Sequence, residues 1–63
     1  MNYYVCRKMR ILDWLCRSGY QPLREQVDLR NTKYKVWIFE SSPELLQCVE
    51  DYYHSDEFLN RNN

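Results

Sequence analysis

The 63-residue chain has one glycine, one histidine, two prolines and no net charge, and each scarcity closes off a class of function. A single glycine, Gly19, cannot build a glycine-rich phosphate loop. The three cysteines, Cys6, Cys16 and Cys48, are odd in number, widely separated and without CxxC spacing. That pattern fits neither a disulfide framework nor a standard zinc site, and it suits a reducing cytosol. We read them as small buried hydrophobes and assign no metal and no cofactor. No segment approaches the ~20 apolar residues that span a bilayer. The opening Met-Asn-Tyr-Tyr-Val lacks the basic and apolar regions of a secretion signal. A soluble, cytoplasmic protein with no membrane partner is expected.

Nucleophilic catalysis would need Cys48 and His54 to meet, but six residues apart on a helix they lie about 240° apart around the axis. His54 stands one turn from Glu50 and reads as a solvated histidine on an acidic helix. With no convergent set of reactive groups, the chain is read as a non-enzyme.

What the chain has in quantity is aromatic residues: six Tyr, two Trp and two Phe. A domain this small buries only about 60% of its unfolded surface. Aromatic packing and self-association are the means left to stabilise it. The zero net charge also conceals a sorting along the chain. Residues 1–37 carry eight basic residues against three acids, a net of +5, and residues 38–63 carry six acids against Arg61, a net of −5.

Tyr3 to Cys6 is short, aromatic and β-branched and predicts a buried strand. From Arg7 to Ser18, Met9, Ile11, Leu12, Leu15 and Cys16 gather on one side at helical spacing, with Arg10, Asp13 and Arg17 opposite. Asp13 and Arg17 are placed to pair. Gly19 stands where a left-handed residue would end this helix, with Tyr20 as the hydrophobic contact of a Schellman stop. Leu23 to Leu29 predicts a half-wet strand, with Leu23, Val27 and Leu29 on one face. The turn Arg30-Asn31-Thr32-Lys33 joins it to a strand Tyr34 to Phe39. Ser41-Ser42-Pro43-Glu44 predicts a capped helix start, with Ser41 and Glu44 at capping-box spacing. Leu45, Leu46, Val49, Tyr52 and Tyr53 form the apolar arc of that second helix. Asp56 would fall inside this arc, so a break is expected near His54-Ser55, with Ser55 capping a last turn that carries Phe58 and Leu59. Fraying is expected from about residue 60.

The order β-α-β-β-α gives one α+β domain over residues 1–63: a three-stranded antiparallel sheet in the order 1-3-2 with both helices on one face. The central strand is apolar on both sides, Val36 and Ile38 on one and Trp37 and Phe39 on the other, and two helices roof only one. With Trp37 and Phe39 taken as the bare side, the expected partner-binding surface is Tyr4, Trp37 and Phe39 with Lys35 and Arg24 at its rim. If those aromatics face the helices instead, the bare side is aliphatic. A protein-binding module is the leading reading, engaging a second copy as a homodimer, a host protein, or both. The alternative is single-stranded nucleic acid, because Arg24, Arg30, Lys33 and Lys35 would cluster beside Tyr4, Trp37 and Phe39. A secondary acidic surface, Glu44, Glu50 and Asp51, lies on the second helix and can imitate nucleic acid or support head-to-tail association.

Tyr3-Tyr4-Val5, Leu15 through Gly19-Tyr20, Lys35-Val36-Trp37-Ile38-Phe39, Ser42-Pro43-Glu44-Leu45 and Tyr52-Tyr53-His54-Ser55-Asp56-Glu57-Phe58 together resemble a family of very small domains encoded by phages and prophages of Gram-positive bacteria. That family has no assigned function. The resemblance spans about residues 3 to 58 and rests on structural motifs. It implies no catalytic residue. By context it implies a small protein that binds and blocks host machinery, an anti-CRISPR or other anti-defence inhibitor among the candidates.

Overall fold

Tyr34 to Phe39 was expected at the centre of the sheet, and the strand found there pairs on both sides. The computed structural model describes residues 2–60. Its elements are β1 (Tyr3–Cys6), α1 (Met9–Arg17), β2 (Arg24–Val27), β3 (Lys35–Glu40), α2 (Pro43–Tyr53) and a short α3 (Asp56–Leu59). The strands form one antiparallel sheet in the order β1-β3-β2, as the sequence predicts. Tyr4 lies opposite Phe39 and Cys6 opposite Trp37 on one flank of β3, while Arg24 lies opposite Ile38 and Glu25 opposite Trp37 on the other.

Local chemistry sets the helix ends. Gly19 has φ +102, a left-handed conformation that glycine adopts without a Cβ penalty. Its N–H donates to the Cys16 carbonyl at 3.1 Å and the Tyr20 N–H to the Leu15 carbonyl at 3.0 Å, the two bonds of a Schellman stop. α1 starts at Met9 rather than at the predicted Arg7, with Lys8 as its extended first cap. At α2 the expected Ser41–Glu44 box is replaced by a cap one residue later, where the Ser42 hydroxyl accepts the Leu45 N–H at 3.0 Å. The cause is Pro43. Its fixed φ suits the first helical position and forces the residue before it into extended geometry, which makes Ser42 the cap. Ser41 instead donates its backbone N–H to Asn2 and prolongs the β1–β3 ladder. The expected break after α2 is present, with Ser55 Oγ accepting the Phe58 N–H at 3.3 Å. Asn60 still bonds to Asp56 through both its backbone and its side chain, and the rest of the predicted frayed tail lies outside the described residues.

The core forms where the helices meet β1 and β3. Cys6, Ile11, Leu15, Phe39, Leu45 and Tyr52 are buried together, with Tyr4, Trp14, Trp37, Tyr53 and Phe58 packed around them. The Trp14 indole N–H donates to the Cys48 carbonyl at 2.9 Å and ties α1 to α2. Arg17 reaches both Asp13, at 2.9 Å, and Glu57, at 2.8 Å, which links α1 to α3.

This arrangement corrects the expected orientation of β3. Phe39 is fully buried under the helices, and Trp37 and Tyr4 share its side of the sheet. The space between a sheet and the helices packed on it is filled by side chains from both, and large rings fill it with few residues. Val36 and Ile38 take the opposite face, yet they are only 3% and 4% exposed. Cross-strand Gln26 flanks Val36, and Val5 and Arg24 flank Ile38. On a narrow sheet, small β-branched residues at the centre can be shielded by longer neighbours, so the second apolar face is covered within the chain.

β2 also departs from expectation. Leu23, Val27 and Leu29 remain 55%, 47% and 91% exposed, because no residue of β2 joins the core. The helices roof β1 and β3 and leave the β2 side of the sheet bare.

Candidate partner-binding surface

The bare strip beside β2 forms a groove of about 440 Å³. Trp37 and Lys35 from β3 and Glu25 from β2 form its sheet side, and Met9 and Arg7 approach from the start of α1. Lys33 and Tyr34 close it from the hairpin turn. That turn is held by Asn31, whose side-chain oxygen accepts the Lys33 N–H at 3.1 Å and whose carbonyl accepts the Tyr34 N–H at 3.0 Å. Met9 is 65% and Tyr34 63% exposed, so two large apolar side chains stand in water beside the half-buried Trp37.

Glu25 organises the interior of the groove. One carboxylate oxygen accepts the Trp37 indole N–H at 3.1 Å, and the other stands 3.3 Å from Lys35 Nζ. The indole plane is thereby fixed and Lys35 is neutralised, although a pair this exposed contributes no more than about 1 kcal/mol. Among the described residues, neither Arg7 nor Lys33 makes an ion pair. The groove therefore holds a mutually neutralised Glu25–Lys35 pair beside its apolar side chains and is positive at two corners.

Of the five residues expected at the partner-binding surface, this groove gathers only Trp37 and Lys35. Phe39 is sealed in the core and Tyr4 packs against it, the ring centroids 6.5 Å apart. Burial, with smaller contributions from Cys6 and Tyr53, pushes the Tyr4 phenol above its ordinary value. Arg24 lies on the other face of the sheet, opposite Ile38, with its Nε donating to Gln26 at 3.3 Å. Sequence reasoning missed Arg7, Met9, Glu25 and Tyr34. Met9 was placed on the apolar side of the helix, but it precedes the first buried residue, Ile11, by two positions and overhangs the edge of the core. The signal available was its place at the helix terminus, where an apolar face outruns its cover.

The acidic surface is present on α2. Glu44, Glu50 and Asp51 are exposed. Asp51 accepts from Gln47 Nε2 at 3.0 Å, and Glu50 meets His54 at 3.3 Å. Leu46, expected in the apolar arc, is 49% exposed on the flank of this surface, and Cys48 packs against the core nearby.

The cysteines are free thiols. Burial raises the Cys6 thiol, with a smaller opposing contribution from the Lys8 backbone, and the net rise keeps it protonated and poorly nucleophilic at neutral pH. Among the described residues, no cluster of three metal-ligating side chains occurs, and no helix is long and apolar enough to cross a membrane. Comparison with protein-family models, with curated proteins and with solved structures finds no match to this chain.

Proposed function

We propose that the chain is a non-enzymatic protein-binding module of the cytoplasm, and that the groove between α1 and the β2–β3 hairpin is its contact surface. One observation carries this reading: Met9 and Tyr34 remain 65% and 63% exposed beside Trp37, in a chain that covers its other apolar sheet face by itself. Exposed large apolar side chains gathered in a concave site and rimmed by cations are the usual composition of an interaction surface. The resemblance to small phage and prophage domains supports a role in occupying host machinery, an anti-CRISPR or other anti-defence inhibitor being the form that suits a domain with a contact surface of this size.

The second reading is single-stranded nucleic acid, favoured by Arg7, Lys33 and Lys35 beside Tyr34 and Trp37. Glu25 weighs against it, because it already takes up Lys35 and leaves only Arg7 and Lys33 at the corners for a run of successive phosphates.

The test is retention of proteins from nuclease-treated host lysate at micromolar concentration by the wild type and by a Met9→Ser/Tyr34→Ser variant. The expected result is a stoichiometric host protein held by the wild type and lost by the variant. Equal retention by both, or no retention, would remove the groove as the contact surface. Saturable binding of a labelled oligo-dT would favour the second reading.

A further inference from the structure

We propose that the groove of one copy takes the acidic outer face of α2 from a second copy, head to tail; this rests on the protein-binding reading above and names one partner for that surface. The charge sorting supplies the complementarity. The half of the chain that builds the groove is net +5 and the half that holds α2 is net −5, so copies carry no overall repulsion and have unlike poles to bring together.

The unpaired groups on the two surfaces correspond. Arg7 and Lys33 at the groove corners make no ion pair among the described residues, and neither does Glu44 on α2. Among the described residues, the Asp51 carboxylate is met by the neutral amide of Gln47, and Glu50 by His54. An apolar anchor lies beside these carboxylates: Leu46 is 49% exposed one turn before Glu50 and matches the exposed Met9 and Tyr34 of the groove. A two-fold dimer made groove to groove would bring like charges together, whereas groove to helix joins unlike ones. In the head-to-tail arrangement proposed, each copy gives its helix to one neighbour and its groove to another, so each pair leaves one groove and one helix open for further copies.

The experiment is sedimentation velocity on three proteins across concentration: the wild type, a groove variant Arg7→Gln/Lys33→Gln, and a helix variant Leu46→Ser/Glu50→Gln/Asp51→Asn. All five positions are exposed, and circular dichroism checks that each protein is folded. The wild type is expected to grow beyond a dimer as concentration rises. It should shrink again between about 0.05 M and about 0.5 M salt, where the Debye length falls to roughly a third. Each variant alone is expected to be a monomer, while an equal mixture of the two forms a dimer that does not grow, because only one complementary pair of surfaces remains. Wild type at the mass of one chain throughout would overturn the proposal, as would a wild-type dimer that stops at two, or assembly that strengthens with salt. If the wild type is monomeric yet the groove variants still lose a host protein from lysate, this inference fails and the protein-binding reading stands.

Discussion

Trp37 donates its indole N–H to Glu25 at 3.1 Å across the β2–β3 pair, and that bond holds a ring that lines the groove and also packs against the core. Trp37→Phe keeps the ring and removes the donor, so a loss of about 1 kcal/mol is expected. A double-mutant cycle with Glu25→Ala, read by urea denaturation, should show Trp37→Phe becoming nearly neutral once the acceptor is gone. An unchanged cost in the Glu25→Ala background would mean that the bond holds nothing.

The two serines before α2 separate cleanly. Ser42→Ala removes the oxygen that accepts the Leu45 N–H and should lower stability by about 1 kcal/mol. Ser41→Ala, which leaves only a backbone bond to Asn2 in place, should stay within about 0.5 kcal/mol of wild type. Chemical denaturation of both variants tests the shift of the cap, and a reversed order would restore the Ser41–Glu44 box.

Gly19 has a left-handed backbone, with open space around the point where a Cβ would sit. Gly19→Ala should therefore cost about 1 kcal/mol from the backbone alone, and Gly19→Val more, since a branched side chain tolerates positive φ least. Gly19→Asn should cost the least of the three. Thermal midpoints in that order would confirm that conformation rather than packing is at stake.

The Glu57 carboxyl is held below the ordinary carboxylate range, chiefly by its hydrogen bond from Arg17. A carboxyl depressed in the folded state stabilises above its unfolded value, about 4.3, and loses that contribution as pH falls through the folded value. Glu57→Gln should therefore melt slightly below wild type at pH 7, with the gap closing in strong acid. A gap that persists there would point to packing of the Glu57 stem instead.

The element order could be read from the chain because its punctuation is local: Gly19 to stop α1, Pro43 with a hydroxyl before it to start α2, and Ser55 to separate α3. The orientation of β3 was harder, since Val36, Trp37, Ile38 and Phe39 are apolar on both faces and alternation carries no sign when both sides qualify. Ring volume was the discriminating quantity, as Phe39 fills the helix layer and Ile38 is shielded by its neighbours. The groove was half legible. Trp37 and Lys35 stood out as an aromatic and a cation on one strand, but Arg7, Met9 and Tyr34 join them only because the start of α1 and the hairpin turn converge on that side, a tertiary fact with no local signature.

β2 limits how another chain could attach to this sheet. Its four residues, Arg24 to Val27, are all exposed, and among the described residues no strand pairs beyond it in the sheet. Such a border invites another backbone to add a strand, and with it uncontrolled fibrous growth. Arg24 and Glu25 place charge on both faces of that border, and Pro22, which has no N–H to offer, stands just ahead of it; both oppose the addition of another backbone. In the binding module proposed above, contact would thus fall to side chains, and specificity would be set by which residues a partner presents and not by any extended segment that happens to align.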